Sequence, residues 1–453
     1  MPTLTRRTFL RSTAFGAAGA SIASAPAIAD SRLSPNDRLR VAVVGLRRRG
    51  MKHIECFHQL AKENVEVVAL CDVDESVLSR GAAECEKLAG NKVRTFTDLR
   101  DLLQSSSIDA VSYATPNHWH ALGTIWACRA GKDVFLEKPA SHTIFEGRKL
   151  IETARKYNRI VQHGTQSRSN AVMQEGIQRL RDGIIGEIYM ARGMAYKWRE
   201  SIGRAREEPV PSGVHYDLWV GPAPMKPFAR VRFHGVWHYL WDYGNGEIGN
   251  QGVHQLDIIR WGLGLDTHPT RIQSMGGRFV HRDDQETPNT QVATYQYEGR
   301  NLLVQFEVRH WITNREAGIG EVLASRGEEN TVGVIFYGSE GYMVMPGYTS
   351  YYTFLGKERK PGPKAESRGD PAANLDHFAN FIRAVRSRKV TDLTADIVDG
   401  HRSSCLSHLA NIAYRTGRTL NFDPLAERFL NDEEASRLLS KTYRPPYVIP
   451  DPV

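Results

Sequence analysis

Residues 40–50 read Arg40-Val41-Ala42-Val43-Val44-Gly45-Leu46-Arg47-Arg48-Arg49-Gly50, and this stretch decides the fold. A short apolar run that ends in glycine predicts a buried strand followed by a tight turn, and a helical pattern comes next. Gly45 and Gly50 occupy the first and third positions of a G-x-G-x-x-G turn, while Arg47 stands at the middle one. In such turns the glycines let the backbone approach a pyrophosphate at a helix N-terminus.

The alternation of strand and helix continues to about residue 163. Strand patterns at 65–72, 108–114, 133–136 and 160–162 alternate with helical patterns. Strands that are apolar throughout, placed between amphipathic helices, indicate a parallel sheet covered on both faces. We therefore predict an α/β protein in which residues 36–163 form a doubly wound Rossmann domain.

Longer alternating runs begin near Gly186 and predict a second domain. Ile188–Tyr196 and Thr290–Tyr297 are examples, and a helical pattern at Val253–Leu263 interrupts the series. Residues 164–420 are accordingly predicted to form an α+β domain on a large, mostly antiparallel open sheet. We expect this domain to bind the substrate and to mediate oligomerisation. Residues 361–371 are predicted to be a loop, and residues 421–453 a C-terminal tail.

The first 29 residues have the pattern of an export signal. Thr5-Arg6-Arg7-Thr8-Phe9-Leu10 is basic, a small-residue apolar run follows, and Ala27-Ile28-Ala29 matches a cleavage pattern. The paired arginines before Phe-Leu resemble a twin-arginine signal. We expect export of the folded protein to the periplasm or the medium.

Composition excludes several classes of protein. The 453 residues carry a formal charge of +8, which is too diffuse to indicate a nucleic-acid partner. We expect no membrane span, because no window reaches roughly 18 uncharged apolar residues. The five cysteines form no C-x-x-C pair, so we expect them to be buried and unpaired.

An acid at the end of the second strand selects the cofactor. Asp72 lies where a carboxylate accepts a hydrogen bond from the adenosine ribose 2′-hydroxyl. The same carboxylate repels a 2′-phosphate, which favours NAD over NADP. Arg47 and Arg48 lie beside the predicted helix N-terminus, where they can contact pyrophosphate oxygens.

Two further loops follow predicted strands. Thr115-Pro116-Asn117-His118-Trp119-His120 follows one, and Glu137-Lys138-Pro139 follows the next. Ligands of doubly wound sheets bind outside the carboxyl ends of the strands, so both loops should face one crevice. The predicted cofactor-binding residues are Gly45, Arg47, Arg48, Gly50, Asp72, Thr115, Pro116, Asn117, His118, His120, Glu137 and Lys138.

The interrupting helix carries a candidate base. Asn250 and His254 are four residues apart and share one helical face, and Asp257 follows within reach of it. A histidine can accept a hydroxyl proton while hydride leaves the same carbon. A core histidine that only packs is the alternative.

An aromatic and histidine-rich stretch at 233–242 precedes this helix. Trp237 and His238 suit a sugar, which has apolar C–H faces and a polar rim, although a core or interface cluster is the alternative. Short H-x-H spacing, as in His118 and His120, also raises the possibility of zinc. No H-E-x-x-H motif is present, and we assign no metal site.

The glycine turn, the Glu137-Lys138-Pro139 triplet and the stretch from Gly252 to Asp257 together resemble the Gfo/Idh/MocA oxidoreductase family. The resemblance runs from about Arg38 to Leu420. It implies that Lys138 binds substrate and nicotinamide and that His254 accepts the proton. Asn250 stands where the family commonly has Asp, and Arg47 replaces the middle glycine. The predicted catalytic residues are Lys138, His254 and Asn250. The predicted substrate-binding residues are Lys138, Trp237, His238, Asn250, His254 and Asp257.

Three functions follow from these patterns. The first is an NAD-dependent oxidoreductase that acts on a sugar, polyol or sugar derivative and retains its cofactor. The second is a redox-neutral NAD-dependent glycoside hydrolase, which oxidises a ring hydroxyl, eliminates the aglycone, adds water and reduces the sugar back. The third is a cofactor-binding relative without activity. Because free NAD is scarce outside the cytoplasm, export favours a cofactor that never leaves. We expect a homo-oligomer, either a dimer or a tetramer.

Overall fold

The computed structural model describes residues 37–311, 331–367 and 375–453. The predicted export signal, residues 1–29, lies outside the described residues. Among the helices described, none is both long enough and apolar enough to cross a membrane. All five cysteines are buried and unpaired, as predicted.

The N-terminal half contains a six-stranded sheet. Its strands are β1 (Leu39–Val44), β2 (Val65–Cys71), β3 (Arg94–Phe96), β4 (Ala110–Tyr113), β5 (Asp133–Leu136) and β6 (Val161–His163). The helices between them are α1 (Arg48–Gln59), α2 (Glu75–Ala89), α3 (Leu99–Leu103), α4 (Asn117–Arg129) and α5 (Ile144–Lys156). The strands are parallel in the order β3-β2-β1-β4-β5-β6. This is the doubly wound order, which confirms the predicted Rossmann domain and places its crevice between β1 and β4.

Apolar side chains cover both faces of this sheet. On one face α1 and α2 bury Phe57 and Val77, and on the other α4 and α5 bury Leu122 and Leu150. A helix distant in sequence, α10 (Leu375–Ser387), completes the first face. Its Phe378 stacks on Phe135 of β5 with ring centroids 4.4 Å apart. Part of the segment predicted for the second domain therefore packs in the core of the first.

The C-terminal domain contains a ten-stranded sheet. Its strands are β7 (Ile188–Tyr196), β8 (Arg271–Gly277), β9 (Thr290–Gln296), β10 (Leu303–Arg309), β11 (Thr331–Gly338), β12 (Gly341–Pro346), β13 (Ser350–Leu355), β14 (Lys360–Glu366), β15 (Leu420–Asp423) and β16 (Arg428–Phe429). The order is β14-β13-β12-β11-β7-β10-β9-β8-β15-β16, and β7 with β10 is a parallel pair among otherwise antiparallel ones. The predicted mostly antiparallel sheet is confirmed.

The predicted loop at 361–371 is wrong where the structure describes it. Strand β14 covers Lys360–Glu366 and pairs with β13 alone, at the edge of the sheet. Proline cannot donate to a neighbouring strand, but an edge strand needs no donor on its open side. The prolines therefore favoured a loop in the sequence while remaining compatible with a strand at this position.

Helices cover one face of the large sheet. They are α6 (Ala171–Arg181), α9 (Gly252–Leu263) and α11 (Ile397–Thr416), with the short helices α7 (Tyr216–Val220), α8 (Gly246–Asn250) and α12 (Glu433–Arg437) completing the domain. Residues 421–453, predicted as a tail, are ordered. They add β16 and α12, and Tyr447, Ile449 and Val453 then pack in the core of the Rossmann domain.

Candidate active site

The turn after β1 depends on two glycines. Gly45 has a φ of +82°, and a Cβ there would lie 2.8 Å from the carbonyl oxygen of Ala114. A Cβ on Gly50 would lie 1.8 Å from the carbonyl oxygen of Gly45. Arg47, at the middle position of the motif, has an ordinary φ of −73° and is exposed. The sharp turn and close packing of the fingerprint are therefore kept without the middle glycine.

A cleft opens where β1, β2 and β4 end. Its lining brings together the predicted residues Gly45, Arg47, Asp72, Thr115, Pro116 and Trp237. Helix α1 begins at this cleft, and the side chain of its N-cap residue, Arg47, makes no capping hydrogen bond. The hydroxyl of Thr115 is buried without a hydrogen-bond partner among the described residues. Unpaired backbone donors at a helix start and an orphan buried hydroxyl both fit a bound dinucleotide phosphate.

Asp72 lies in this cleft with both oxygens oriented. Oδ2 accepts from the backbone N–H of Leu46 at 2.7 Å, and Oδ1 accepts from that of Asp74 at 3.0 Å. Burial raises the pKa of Asp72 to about 6. Each carboxylate oxygen keeps a further acceptor site. The fixed carboxylate can therefore take hydrogen bonds from ribose hydroxyls.

Arg49 and Glu137 form an ion pair that the sequence did not indicate. Nε of Arg49 donates to Oε1 of Glu137 at 2.6 Å, and Nε2 of His53 lies 3.2 Å from the same oxygen. Burial acts to raise the pKa of Glu137, but Arg49 and His53 outweigh it and hold the pKa well below its ordinary value. Glu137 is thus a buried, paired carboxylate that supports the loop of Lys138.

Three side chains that are predicted to contact the cofactor also form hydrogen bonds within the protein. Nδ2 of Asn117 donates to Asn245 at 3.0 Å, and Nε2 of His118 donates to the carbonyl oxygen of Trp219 at 2.9 Å. The ring of His120 lies between two strand-end loops, with Nδ1 2.6 Å from the carbonyl oxygen of Pro139 and Nε2 2.9 Å from that of Thr115. These bonds fix the shape of the crevice. The predicted contact of these side chains with the cofactor stays a prediction.

Lys138 joins the two domains. Its Nζ donates to the carbonyl oxygen of Asn250 at 2.7 Å and to Oδ1 of the same residue at 3.2 Å. The carbonyl is available because the N–H of His254 bonds to Gln251 instead, at the break between α8 and α9. Burial lowers the pKa of Lys138 to about 8. A half-buried ammonium near its pKa therefore lies where the loop of Lys138 meets the end of α8.

His254 lies on α9, one turn beyond Asn250. Burial, and then the charge of Lys138, lower its pKa well below the ordinary value, so the ring is neutral. Its Nδ1 is buried and has no hydrogen-bond partner among the described residues, while the ring packs edge-on to Tyr348 at 5.0 Å. A neutral imidazole with an unused nitrogen can accept a proton. The structure therefore brings Lys138, Asn250 and His254 together, and their catalytic roles stay a prediction.

A buried carboxylate, missed in the sequence, supports this triad. Oε1 of Glu247 accepts from Arg199 at 2.9 Å, and Oε2 accepts from the hydroxyl of Tyr239 at 3.0 Å and from Nδ2 of Asn250 at 3.4 Å. The Asn250 amide thus accepts from Lys138 and donates toward Glu247. An aspartate at position 250 would face a second carboxylate, which gives a physical reason for the asparagine found here. The three-residue spacing of Glu247 and Asn250 was the available signal.

Gln251 connects two more groups that the sequence did not indicate. Its side chain accepts from Lys197 and donates to the hydroxyl of Tyr348, which packs against His254. Lys197 directly follows β7, where a charged residue at a strand end was a usable signal. Tyr348 lies in a turn between β12 and β13, and nothing in its local sequence marked it.

The remaining predicted substrate residues lie in three different surroundings. Trp237 lines the cofactor cleft together with His234. His238 is half-buried, and burial lowers its pKa to about 4. Asp257 is buried and accepts a bidentate pair from Arg168 at 2.8–3.0 Å. The carboxylate of Asp257 therefore has a structural partner, and its contact with substrate stays a prediction.

Comparisons with characterised sequences give partial matches. A glycosyl hydrolase family 109 protein of Shewanella sp. strain W3-18-1 is 31% identical over 166 residues, 34% of this chain and 34% of that protein. The D-glucoside 3-dehydrogenase of Escherichia coli K12 is 30% identical over 159 residues, 35% of this chain and 44% of that protein. The matches thus span about a third to under half of the relatives' lengths.

Solved structures share the fold over most of the chain. The WlbA dehydrogenase from Bordetella pertussis, solved with NADH and UDP-GlcNAcA, has a TM-score of 0.61 at 18% identity, covering 85% of this chain and 99% of that one. A levoglucosan dehydrogenase, solved with NADH and levoglucosan, has a TM-score of 0.64 at 14% identity with the same coverage. At these identities the likeness concerns the fold alone.

Family-level matches cover both domains. The sequence model for the family's NAD-binding Rossmann fold matches residues 39–165. The model for its C-terminal alpha/beta domain matches residues 181–309 and 350–449. The predicted NAD-binding Rossmann domain is confirmed. The chain belongs to the Gfo/Idh/MocA oxidoreductase family.

Proposed function

We propose that the protein is an NAD-dependent oxidoreductase that oxidises a ring hydroxyl of a sugar, polyol or sugar derivative. The observation that carries this proposal is the contact of Lys138 with Asn250, beside the neutral ring of His254. A hydrogen-bond donor, an amide and a proton acceptor are thus close together where the loop of Lys138 meets α8 and α9. That set matches what a secondary alcohol needs when it loses a hydride and a proton.

Each residue has one task in this reaction. Lys138 donates to the hydroxyl oxygen and stabilises negative charge as the O–H proton leaves. His254 accepts that proton, and Asn250 orients the substrate without exchanging a proton. NAD, when bound, accepts the hydride from the same carbon. The balance is an alcohol and NAD⁺ giving a ketone, NADH and a proton.

The cofactor is proposed to be NAD rather than NADP and to stay bound. The carboxylate of Asp72 favours a free ribose hydroxyl over a phosphate at that position. The segment that carries His234 and Trp237 borders the same cleft, and Nε2 of His234 lies 2.6 Å from Oδ2 of Asp74 at the start of α2. This contact ties the second domain over the adenosine side of the cleft, which supports slow release.

A redox-neutral glycoside hydrolase is the second candidate. The observation that favours it is the 31% identity to glycosyl hydrolase family 109 proteins over the matched third. In this cycle a ring hydroxyl is oxidised, a base removes the acidified proton beside the ketone, and the aglycone leaves. Water then adds, and the ketone is reduced back. The net reaction is hydrolysis, with no NADH released.

Export through the twin-arginine pathway is part of the proposal. It rests on Arg6-Arg7 before Phe9-Leu10. Five buried free cysteines are compatible with folding in a reducing compartment before export. Fractionation of cells that carry the wild-type chain or an Arg6→Lys/Arg7→Lys variant tests it, and equal export of both would contradict it.

We also propose a homo-oligomer, a dimer or tetramer. Met275 of β8 is 81% exposed and pairs in register with the exposed Val292 of β9, and Tyr189 of β7 is 52% exposed. Large apolar side chains on an open sheet face are typical of an interface. Light scattering coupled to gel filtration measures the mass of the assembly, and the assembly of a Met275→Lys/Val292→Lys variant should have a lower mass. A monomeric wild-type protein would contradict this.

One experiment tests the proposed activity and separates the two reactions. Mass spectrometry of the denatured, purified protein should release NAD or NADH. Free sugars and glycosides are then offered in deuterated water with no added cofactor. A dehydrogenase reduces its bound NAD once, whereas a hydrolase turns over continuously and places deuterium on the carbon beside the oxidised one. Bound nucleotide without either reaction would indicate a non-catalytic relative.

A further inference from the structure

A second cluster of titratable side chains lies away from the crevice, in the C-terminal domain. His268 lies between α9 and β8, and His401 and Cys405 are four residues apart on α11. The three side chains are buried, and each has a ligand-type atom within 4.8 Å of the other two. The proposed reaction uses none of them. We propose that His268, His401 and Cys405 bind a zinc ion that ties these elements together.

The residue types and distances suit zinc. Nitrogen and thiolate ligands are those that zinc prefers, with bonds of about 2.0–2.1 Å to nitrogen and about 2.3 Å to sulfur, which places ligand atoms about 3.5 Å apart in a tetrahedron. Sγ of Cys405 lies 3.6 Å from Nε2 of His401 and 3.5 Å from Nδ1 of the same ring. The four-residue spacing puts both side chains on one face of the helix. Two of the three ligands are thus already at the required separation.

A carboxylate beside the cluster orients both rings. Oε1 of Glu427 lies 2.9 Å from Nε2 of His268 and 2.6 Å from Nε2 of His401. Because both Nε2 atoms approach the same oxygen, they are the nitrogens of the two rings that converge, and they are the proposed ligand atoms. A zinc ion bound there would replace these two hydrogen bonds and be held beside the Glu427 carboxylate. Glu427 is itself fixed by Arg148, whose Nε lies 3.0 Å from its second oxygen.

The other nitrogens of the two rings differ in their surroundings. Nδ1 of His268 is buried and has no hydrogen-bond partner among the described residues, and buried polar atoms without partners are rare in folded proteins. A Cβ at position 147 would lie 2.1 Å from Nδ1 of His401, so the backbone of Gly147 closes off this nitrogen and Nε2 is the one that can reach an ion. Three protein ligands leave the fourth tetrahedral position to water or to Glu427.

The ion would have a structural task. His268 precedes β8, and Glu427 lies in the turn between β15 and β16, so a metal on α11 connects three segments that are distant in sequence. Burial raises the pKa of the Cys405 thiol well above its ordinary value, and zinc would displace that proton on binding. The site lies in the C-terminal domain, so its loss should leave nucleotide content unchanged.

The test uses the whole protein with its cofactor. It is purified without chelator, equilibrated with zinc, passed through gel filtration and analysed for metal by mass spectrometry. We expect one zinc per chain in the wild type and in Cys128→Ala, a matched change at another buried free cysteine. We expect loss of that zinc in Cys405→Ala and His268→Ala, and a fall of several degrees in melting temperature when zinc is removed from the wild type.

Cobalt substitution provides a readout that needs no variant. Cobalt(II) in the wild-type protein should give a thiolate charge-transfer band and the visible bands of a tetrahedral site. A cobalt spectrum without the thiolate band, or zinc retained fully by Cys405→Ala, would overturn the proposal. So would a wild-type protein that emerges from zinc equilibration without bound metal.

Discussion

The start of α4 and the junction of α8 with α9 carry similar side chains, but their hydrogen bonding differs. At α4, Asn117, His118 and His120 each bond to another part of the protein, although Nδ1 of His118 is buried without a partner. At the junction, His254 keeps an unpartnered buried nitrogen, and the neighbouring Lys138 holds a carbonyl released by the break in the helix. Side chains that bond across several loops maintain the shape of a site, whereas an unpartnered nitrogen close to an ammonium can take part in chemistry.

The largest effect should come from substitutions at the junction of α8 with α9. Lys138→Ala and His254→Ala remove the donor and the proton acceptor, and a positioned acid or base contributes about 10² to 10⁴ in rate. Single-turnover reduction of bound NAD by substrate measures this loss. The nucleotide released on denaturation should stay at the wild-type level, because neither side chain lines the adenosine cleft. Hydride transfer at the wild-type rate in either variant would remove the assignment.

Substitution at the start of α4 should lower the free energy of unfolding. His120→Ala removes the ring between Thr115 and Pro139 and leaves the buried carbonyl that accepts from its N–H without a donor, which costs about 1–3 kcal/mol. Chemical denaturation should show this fall in the free energy of unfolding. His58→Ala, at a partly exposed position of α1, is the control and should change stability little. A His120→Ala protein of wild-type stability would contradict the structural role assigned to this ring.

The two regions also differ in how far the sequence predicts them. The apolar run before Gly45 was sufficient to predict β1, the turn and the doubly wound domain, because these depend on neighbouring residues. The contact between Lys138 and Asn250 joins residues 112 positions apart, and only the family resemblance indicated it. Glu247 could have been found by its helical spacing from Asn250. Tyr348 could not, since its position depends on how a turn of the second sheet packs.

Asp72 combines both kinds of behaviour. Each of its carboxylate oxygens accepts one backbone hydrogen bond and can still accept another from a ligand. Asp72→Ala should weaken NAD binding roughly 10-fold or more, since hydrogen bonds to a charged group contribute about 1.5–3 kcal/mol. The preference for NAD over NADP should narrow at the same time. Titration of nucleotide-free protein with both cofactors measures this, with the exposed Asp101→Ala as control. Tighter binding of NADP than NAD by the wild type would contradict the assigned role.

The smallest expected effect is a shift in a pH profile. Burial lowers the pKa of Lys138 to about 8, so the free enzyme holds its ammonium below that pH and loses it as the pH rises through 8. If the ammonium is the donor to substrate, kcat/KM should fall on the alkaline side near pH 8, because this ratio reports groups of the free enzyme. His254, with its pKa held well below the ordinary value, should add no change across the neutral range.

Asn250→Asp should move this alkaline limb. A carboxylate would replace the oxygen that lies 3.2 Å from Nζ of Lys138, and an opposite charge at this distance favours the ammonium, so the limb should shift upward by about one unit. Glu247 opposes part of the shift, because the new carboxylate would repel it and lose the amide donor at 3.4 Å. Lys138→Arg is the control, since a guanidinium does not titrate here and the limb should vanish. An alkaline limb that persists unchanged in both variants would assign it to another group and leave Lys138 a positioning role alone.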